Sequence, residues 1–140
     1  MIDFETTGTD RQVDRVVEMA VVLFDGGRVT GTKQWLVNPG MPIPEESRAV
    51  HGIGDDQVKD APSFAEIARE VMEVLHGRLP VAYNAGFDRA FLHNEFARAD
   101  VEGAPAPDRN VYEQKSAWLG AVVEYDESNP QNRGLAWWEK

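Results

Sequence analysis

At 140 residues, with 42% hydrophobic and 27% charged content, the chain is long enough to bury one real core and too short for two. It contains no cysteine, which excludes a disulfide framework and a thiolate metal site, and no apolar run reaches bilayer-spanning length. A net charge of −10, from 14 basic and 24 acidic residues with no Lys/Arg cluster in the sequence, argues against broad electrostatic binding to duplex DNA. It leaves room for a protein that grips only the last nucleotides of a strand, where metal ions would supply the positive charge.

Residues 1–5 are predicted as a short strand. Side chains two apart on a strand share a face, so Asp3 and Glu5 project together with no basic residue between them. Such a pair repels itself, and a divalent cation relieves the repulsion. Taken alone, the pair more often marks a strand end entering a solvated acidic turn. Thr7 to Asp14 is a polar loop. Val16 to Phe24, apolar except near Glu18, suits a buried strand. Asp25-Gly26-Gly27 is a hairpin turn, and Val29 to Val37 is the returning strand. A long loop with several prolines and His51 leads to the first predicted helix. There Ser63 and Glu66 form a capping box, Phe64, Ile67, Ala68, Val71 and Leu75 define one apolar face, and Gly77 supplies the left-handed terminus. Leu79 to Tyr83 is predicted as a buried strand, and Phe87 to Ala99 as a second helix with Phe91, Leu92 and Phe96 inward. Asp88 falls in the first turn of that helix, where the dipole favours a carboxylate; Asn84 before it is a turn or cap residue on this local reading.

Ile2-Asp3-Phe4-Glu5-Thr6-Thr7-Gly8 resembles the first motif of the DnaQ-like DEDD exonucleases, 3′→5′ nucleases that include polymerase proofreading domains. Further words follow in the order of that family. They are Val16 to Val22, Leu36 to Gly40 with Ile43-Pro44, His51-Gly52-Ile53, and Val81-Ala82-Tyr83-Asn84-Ala85-Gly86-Phe87-Asp88. Together they cover roughly residues 1–107. The resemblance implies an α/β, ribonuclease H-like mixed sheet flanked by helices, with an antiparallel three-stranded start extended by a parallel strand. It implies two divalent ions, Mg²⁺ or Mn²⁺, about 3.5–4 Å apart. Asp3 would bridge both ions, Glu5 would bind the hydroxide-generating ion, and Asp88 would hold the second. Thr6, Thr7 and Gly8 would approach the terminal nucleotide, joined on the substrate side by Asn84 and by His51. A purely bracing role for His51 stands as an equal alternative, and Phe87 is expected in the core. The implied partners are 3′ ends of single-stranded DNA or RNA and a DNA polymerase subunit, in a cytoplasmic setting away from membranes.

The resemblance stops short of the C-terminus. The family carries a fourth carboxylate and a general base in a late His-x-x-x-x-Asp or Tyr-x-x-x-Asp motif, and neither follows Asp88. His93 has Arg98 five residues on, and Tyr112 and Tyr125 have Ser116 and Asn129 four residues on. His51 and Asp56 have the right spacing but lie between the first two motifs, where the match is a coincidence of the loop. The expected organisation is therefore an exonuclease-like domain at 1–107 and a divergent segment at 108–140. In that segment Tyr112 to Val123 is a candidate short helix, Glu124 to Gly134 is polar loop, and Trp137-Trp138 has no assigned role. The first strand would be trimmed, and the last strand and helix of the family missing or replaced. Loss of the base alone would cost about 10²–10⁴-fold in rate. The chain is thus expected to be a weakened exonuclease or, alternatively, an inactive module of the same fold that binds nucleic-acid ends or a polymerase. An unrelated acidic α/β domain is the third reading.

Overall fold

The computed structural model describes residues 1–78, 80–101 and 123–124. Strand β1 (Ile2–Thr6) alternates: Ile2, Phe4 and Thr6 are buried, while Asp3 and Glu5 point the other way. It pairs antiparallel with β2 (Val16–Asp25), which pairs antiparallel with β3 (Arg28–Leu36), giving the sheet order β1-β2-β3. In the β1–β2 ladder Glu5 faces Glu18, and Thr6 faces Val16. Val17 is the extra residue of a bulge at that point, which lets Val16 and Val17 enter different apolar clusters.

The connection after β3 is more ordered than expected from sequence. It contains two short helices, α1 (Glu45–His51) and α2 (Asp55–Val58). Helix α1 buries no residue. It starts after Pro44 and stops at Gly52, whose φ of 76° gives the left-handed turn that glycine tolerates. Helix α2, with Val58 inward, closes a small cluster of Val17, Ile43, Ile53 and Val58. The Ser63–Glu66 capping box then opens α3 (Phe64–Leu75) as the sequence predicts, and all five predicted face residues are buried.

Strand β4 is confined to Val81–Ala82, shorter than the predicted Leu79–Tyr83; Leu79 lies outside the described residues. β4 touches β1 and pairs in parallel with β5 (Val123–Glu124). The expected parallel strand is present after α3, but among the described residues it forms a separate two-stranded sheet with β5, a ladder two residues long, rather than extending the β1-β2-β3 sheet. β5 lies in the segment where the family's last strand was expected to be missing or replaced, and it puts Glu124, the first residue of the expected Glu124–Gly134 loop, in a strand; the rest of that loop lies outside the described residues. The candidate helix at Tyr112 to Val123 lies outside the described residues except for Val123, which is in β5, and the Trp137-Trp138 pair lies outside them too.

Helix α4 (Ala85–Val101) begins two residues earlier than predicted. It packs on α3, with Phe96 edge-on to Phe64 at 5.5 Å. Phe91, Leu92, Phe96 and Ala99 join Ile2, Phe4, Met19 and the α3 face in the main core. The buried face of α4 also carries two carboxyls, Asp88 and Glu95. Glu95 accepts from Arg15 Nε at 2.8 Å and Nη2 at 3.2 Å, from Arg98 Nη1 at 3.0 Å and from the Val16 amide at 3.3 Å. This cluster ties the middle of α4 to the start of β2 and so fixes where the first turn of α4 lies against β1. Among the described residues, no helix is long and apolar enough to cross a membrane.

Candidate active site

The alternation of β1 puts Asp3 and Glu5 on the face away from Ile2 and Phe4, and α4 brings Asp88 to the same place. The three carboxyls are near enough to act on one another's charge. Asp88 is 4% exposed, and its carboxyl is pushed up to about 7, first by desolvation and then by the charge of Asp3, with a smaller push from Glu5. Hydrogen bonds from its own amide and that of Phe4 act against the shift. The Asp3 carboxyl is raised by desolvation and restrained by the Phe4 amide. Glu5 is raised by desolvation, then by Asp3; His51 lowers it, and Glu18 adds a further upward push.

Among the described residues, none of these three carboxyls is in an ion pair. Close, unpaired carboxyls of this kind disfavour one another's ionised forms, and hard oxygen donors suit Mg²⁺ or Mn²⁺. In chemistry, then, the donor set fits a divalent cation. In geometry it is open: among the described residues, no three Asp, Glu, His or Cys side chains close around a metal position. Glu18 was not assigned to the site from sequence. Its signal was there, as the one charged residue in the apolar run of β2, but placing it opposite Glu5 requires the strand register.

Beside the carboxyls lies a cleft of about 450 Å³ lined by Glu5, Thr6, Gly8, Ser47, His51 and Phe87, among others. Phe87 is half-buried; it packs against the main core and Phe91 while also lining this cleft, so its role is wider than core alone. The polar atoms of the loop after β1 are largely committed inside the protein. Thr6 donates its hydroxyl to the Gly8 carbonyl at 2.6 Å. Thr7 is buried; its hydroxyl donates to Asp14 Oδ1 at 2.9 Å and accepts from the Arg15 amide at 3.0 Å, and its carbonyl accepts from Ser47 Oγ at 2.7 Å. A Cβ on Gly8 would collide with the Asp14 carboxylate, so the glycine is required by the chain's own packing.

His51 ends α1. Its Nδ1 accepts from the Ile53 amide at 3.0 Å, which leaves the proton on Nε2 to donate to the Thr6 carbonyl at 3.2 Å. The ring thus braces the loop and lines the cleft at once. Asp56 is exposed on α2 and takes no part in this. Asn84 is exposed, and its carbonyl accepts from the Phe87 and Asp88 amides at 3.0 and 3.2 Å, starting the helix that carries Asp88.

The family model described as Exonuclease (RNase T) matches residues 1–116. A DNA polymerase III subunit epsilon-like protein of Rhodobacter capsulatus is 43% identical over 98 residues, covering 68% of this chain and 14% of that protein. A PolC-type DNA polymerase III of Oceanobacillus iheyensis is 34% identical over 107 residues, covering 76% of this chain and 8% of that protein. The chain therefore spans only a small part of these relatives. Among solved structures, product-bound exonuclease I superposes with a TM-score of 0.68 at 20% identity, over 90% of this chain and 29% of that one. Exonuclease X in complex with 5′ overhanging duplex DNA gives 0.54 at 28% identity, over 81% and 70%.

Proposed function

The chain belongs to the exonuclease family and shares its ribonuclease H-like architecture, and on that footing we propose that it is a metal-dependent 3′→5′ exonuclease acting on single-stranded DNA or RNA ends. The observation that carries this reading is the unpaired trio of Asp3, Glu5 and Asp88, brought together from the first strand and from a helix more than eighty residues later. Residues 1–107 form the exonuclease-like unit on this reading, and 108–140 a divergent segment.

Asp3, Glu5 and Asp88 would hold two divalent ions, Mg²⁺ or Mn²⁺. When bound, such ions supply an activated hydroxide and stabilise the leaving 3′-oxygen. The protein's own contribution is to hold and expose the ligands. β1 fixes Asp3 and Glu5 on one face, and the cluster around Glu95 fixes the helix that presents Asp88. The cleft beside Glu5 offers the Phe87 ring to a terminal base. The backbone of Thr6 to Gly8, braced by His51 and Ser47, forms a rigid wall for the sugar. Asn84 stands at the start of α4 on the substrate side. A polymerase subunit is the natural partner, by analogy with the epsilon-like and PolC-type relatives.

The test is degradation of a 5′-labelled single-stranded oligonucleotide with Mn²⁺, with Asp3→Asn as control. The expected result is a ladder shortening from the 3′ end, reduced at least about 10³-fold in the variant, since a metal contributes several kcal/mol to such a reaction. Equal turnover by Asp3→Asn would remove this site from the mechanism.

A further inference from the structure

A second cleft, of about 540 Å³, lies between the loop after β1 and the outer side of α4. It is lined by Arg11, Gln12, Gly86, Arg89, His93 and Asn94, with Ala90, and by no carboxylate among the described residues. In a chain of net charge −10, the lining gathers two guanidinium groups and an imidazole, although the Asp10 carboxylate stands close by on the Gln12 amide at 2.9 Å. The sequence hides this gathering, because Arg11 lies far from Arg89 and His93 along the chain.

We propose that this cleft is a binding subsite for the phosphodiester backbone of a nucleic-acid strand, at a phosphate other than the one cleaved. The inference rests on the exonuclease reading for its ligand and extends it to a site that reading does not use. Four observations support it. First, His93, one of the lining residues, has a buried Nε2 with no hydrogen-bond partner among the described residues, so its ring has a polar atom still to be satisfied. Second, guanidinium forks and amide donors are the side chains that recognise phosphate oxygens, and Arg11, Arg89, Gln12 and Asn94 supply both kinds.

Third, the wall is pre-formed. Asn94 Nδ2 donates to the Arg11 carbonyl at 2.6 Å, and Arg98 Nη2 donates to the Gln12 carbonyl at 2.9 Å, fastening the arginine loop to α4. Fourth, the two clefts share a boundary. Gly86 lines this one and Phe87 the other, and a Cβ at Gly86 would meet nothing within 4 Å. A strand whose end sits beside Asp88 can therefore continue across the first turn of α4 at Gly86.

The test measures binding of a fluorescein-labelled 12-nucleotide single strand by anisotropy, with Ca²⁺ as the metal, across a salt series. Wild type is compared with Arg11→Gln, Arg89→Gln and the control Arg28→Gln, which removes an exposed arginine on the distant hairpin. Arg11 is exposed on a loop, so its variant keeps the question answerable if Arg89→Gln fails to fold. Each cleft variant is expected to bind about five- to tenfold more weakly and to lower the slope of log affinity against log salt by about 0.7, while Arg28→Gln binds as wild type. Inorganic phosphate at concentrations that leave ionic strength unchanged should not displace the strand. Wild-type affinity and slope in both cleft variants would overturn the proposal. So would an equal loss in Arg28→Gln, which would trace the effect to net charge, or displacement by phosphate, which would make this a free-anion site. Binding with Ca²⁺ together with no cleavage in the Mn²⁺ assay would count against the catalytic reading and leave the cleft standing.

Discussion

Helix α4 buries two carboxyls on one face, two turns apart, and gives them opposite surroundings. Glu95 is enclosed by two guanidinium groups and a backbone amide; Asp88 is almost as deeply buried, accepts from two backbone amides and faces the carboxyls of Asp3 and Glu5 with no cation among the described residues. Burial of a charge is tolerated when it is paired. Glu95 follows that rule and holds the helix in place. Asp88 departs from it, and its carboxyl is raised to about 7 as a result. A buried acid kept without a cationic partner at the expense of stability is a mark of chemistry rather than of packing. The same helix thus contains the anchor and the group that the anchor positions.

The largest effect that would test this contrast is on the anchor. Glu95→Ala removes the carboxylate that receives Arg15 and Arg98 and leaves two partly buried cations facing a cavity. It is expected to destabilise the fold by about 3–5 kcal/mol in urea unfolding. A loss below about 1 kcal/mol would show that apolar packing on α3 alone holds α4, and the contrast would collapse.

How much of this was legible in the sequence differs between the two long helices. Helix α3 announces itself: Ser63 and Glu66 cap it, and its inward residues are all apolar, so start, face and end follow from pattern alone. Helix α4 lacks that regularity because Asp88 and Glu95 occupy its buried face, and its start was placed two residues late. Asp3, Glu5 and Asp88 were legible because their motif words are local. Arg98, three residues after Glu95 on the same helix, is a local partner, but Arg15 was not legible, since it lies eighty residues away and only the folded chain brings it close. The same limit concealed Glu18 opposite Glu5 and the basic cleft of Arg11, Arg89 and His93. Helices α1 and α2 are too short to show a period. Pro44 and Gly52 mark the ends of α1, but its position depends on contacts of Ser47 and His51 with the loop after β1.

A second test acts on the other carboxyl. In the unfolded chain Asp88 loses its proton near its ordinary value of 3.8; in the folded chain it keeps it to about 7. Between those values the folded state binds more protons, so metal-free stability falls as pH rises through the window and levels off above it. Asp88→Asn removes this dependence. At pH 8 the variant is expected to be more stable than wild type by roughly 2–4 kcal/mol, with the difference vanishing below about pH 4. It should also lose metal-dependent hydrolysis, and its melting temperature should no longer rise with Mn²⁺. Parallel stability curves for the two proteins from pH 4 to 8 would show that Asp88 is not the destabilising acid.

The smallest effect separates the two arms of the anchor. Arg15 makes the bidentate contact to Glu95, whereas Arg98 gives it one bond at 3.0 Å and spends its remaining donors on the carbonyls of Asp14 at 3.3 Å and Gln12 at 2.9 Å. Arg98→Met keeps the stem and leaves Glu95 paired with Arg15, so it should cost only about 1 kcal/mol of stability. Its more informative consequence is local. Without Arg98 the loop bearing Arg11 and Gln12 retains the Asn94 bond but loses its second tie to α4. If that tie serves only the fold, nucleic-acid binding will match wild type once stability is allowed for. If it also sets the wall of the basic cleft, affinity for a 12-nucleotide strand will fall while the salt slope stays constant, because every charge that meets the phosphates is still present. That combination would separate positioning by Arg98 from direct contact by Arg11.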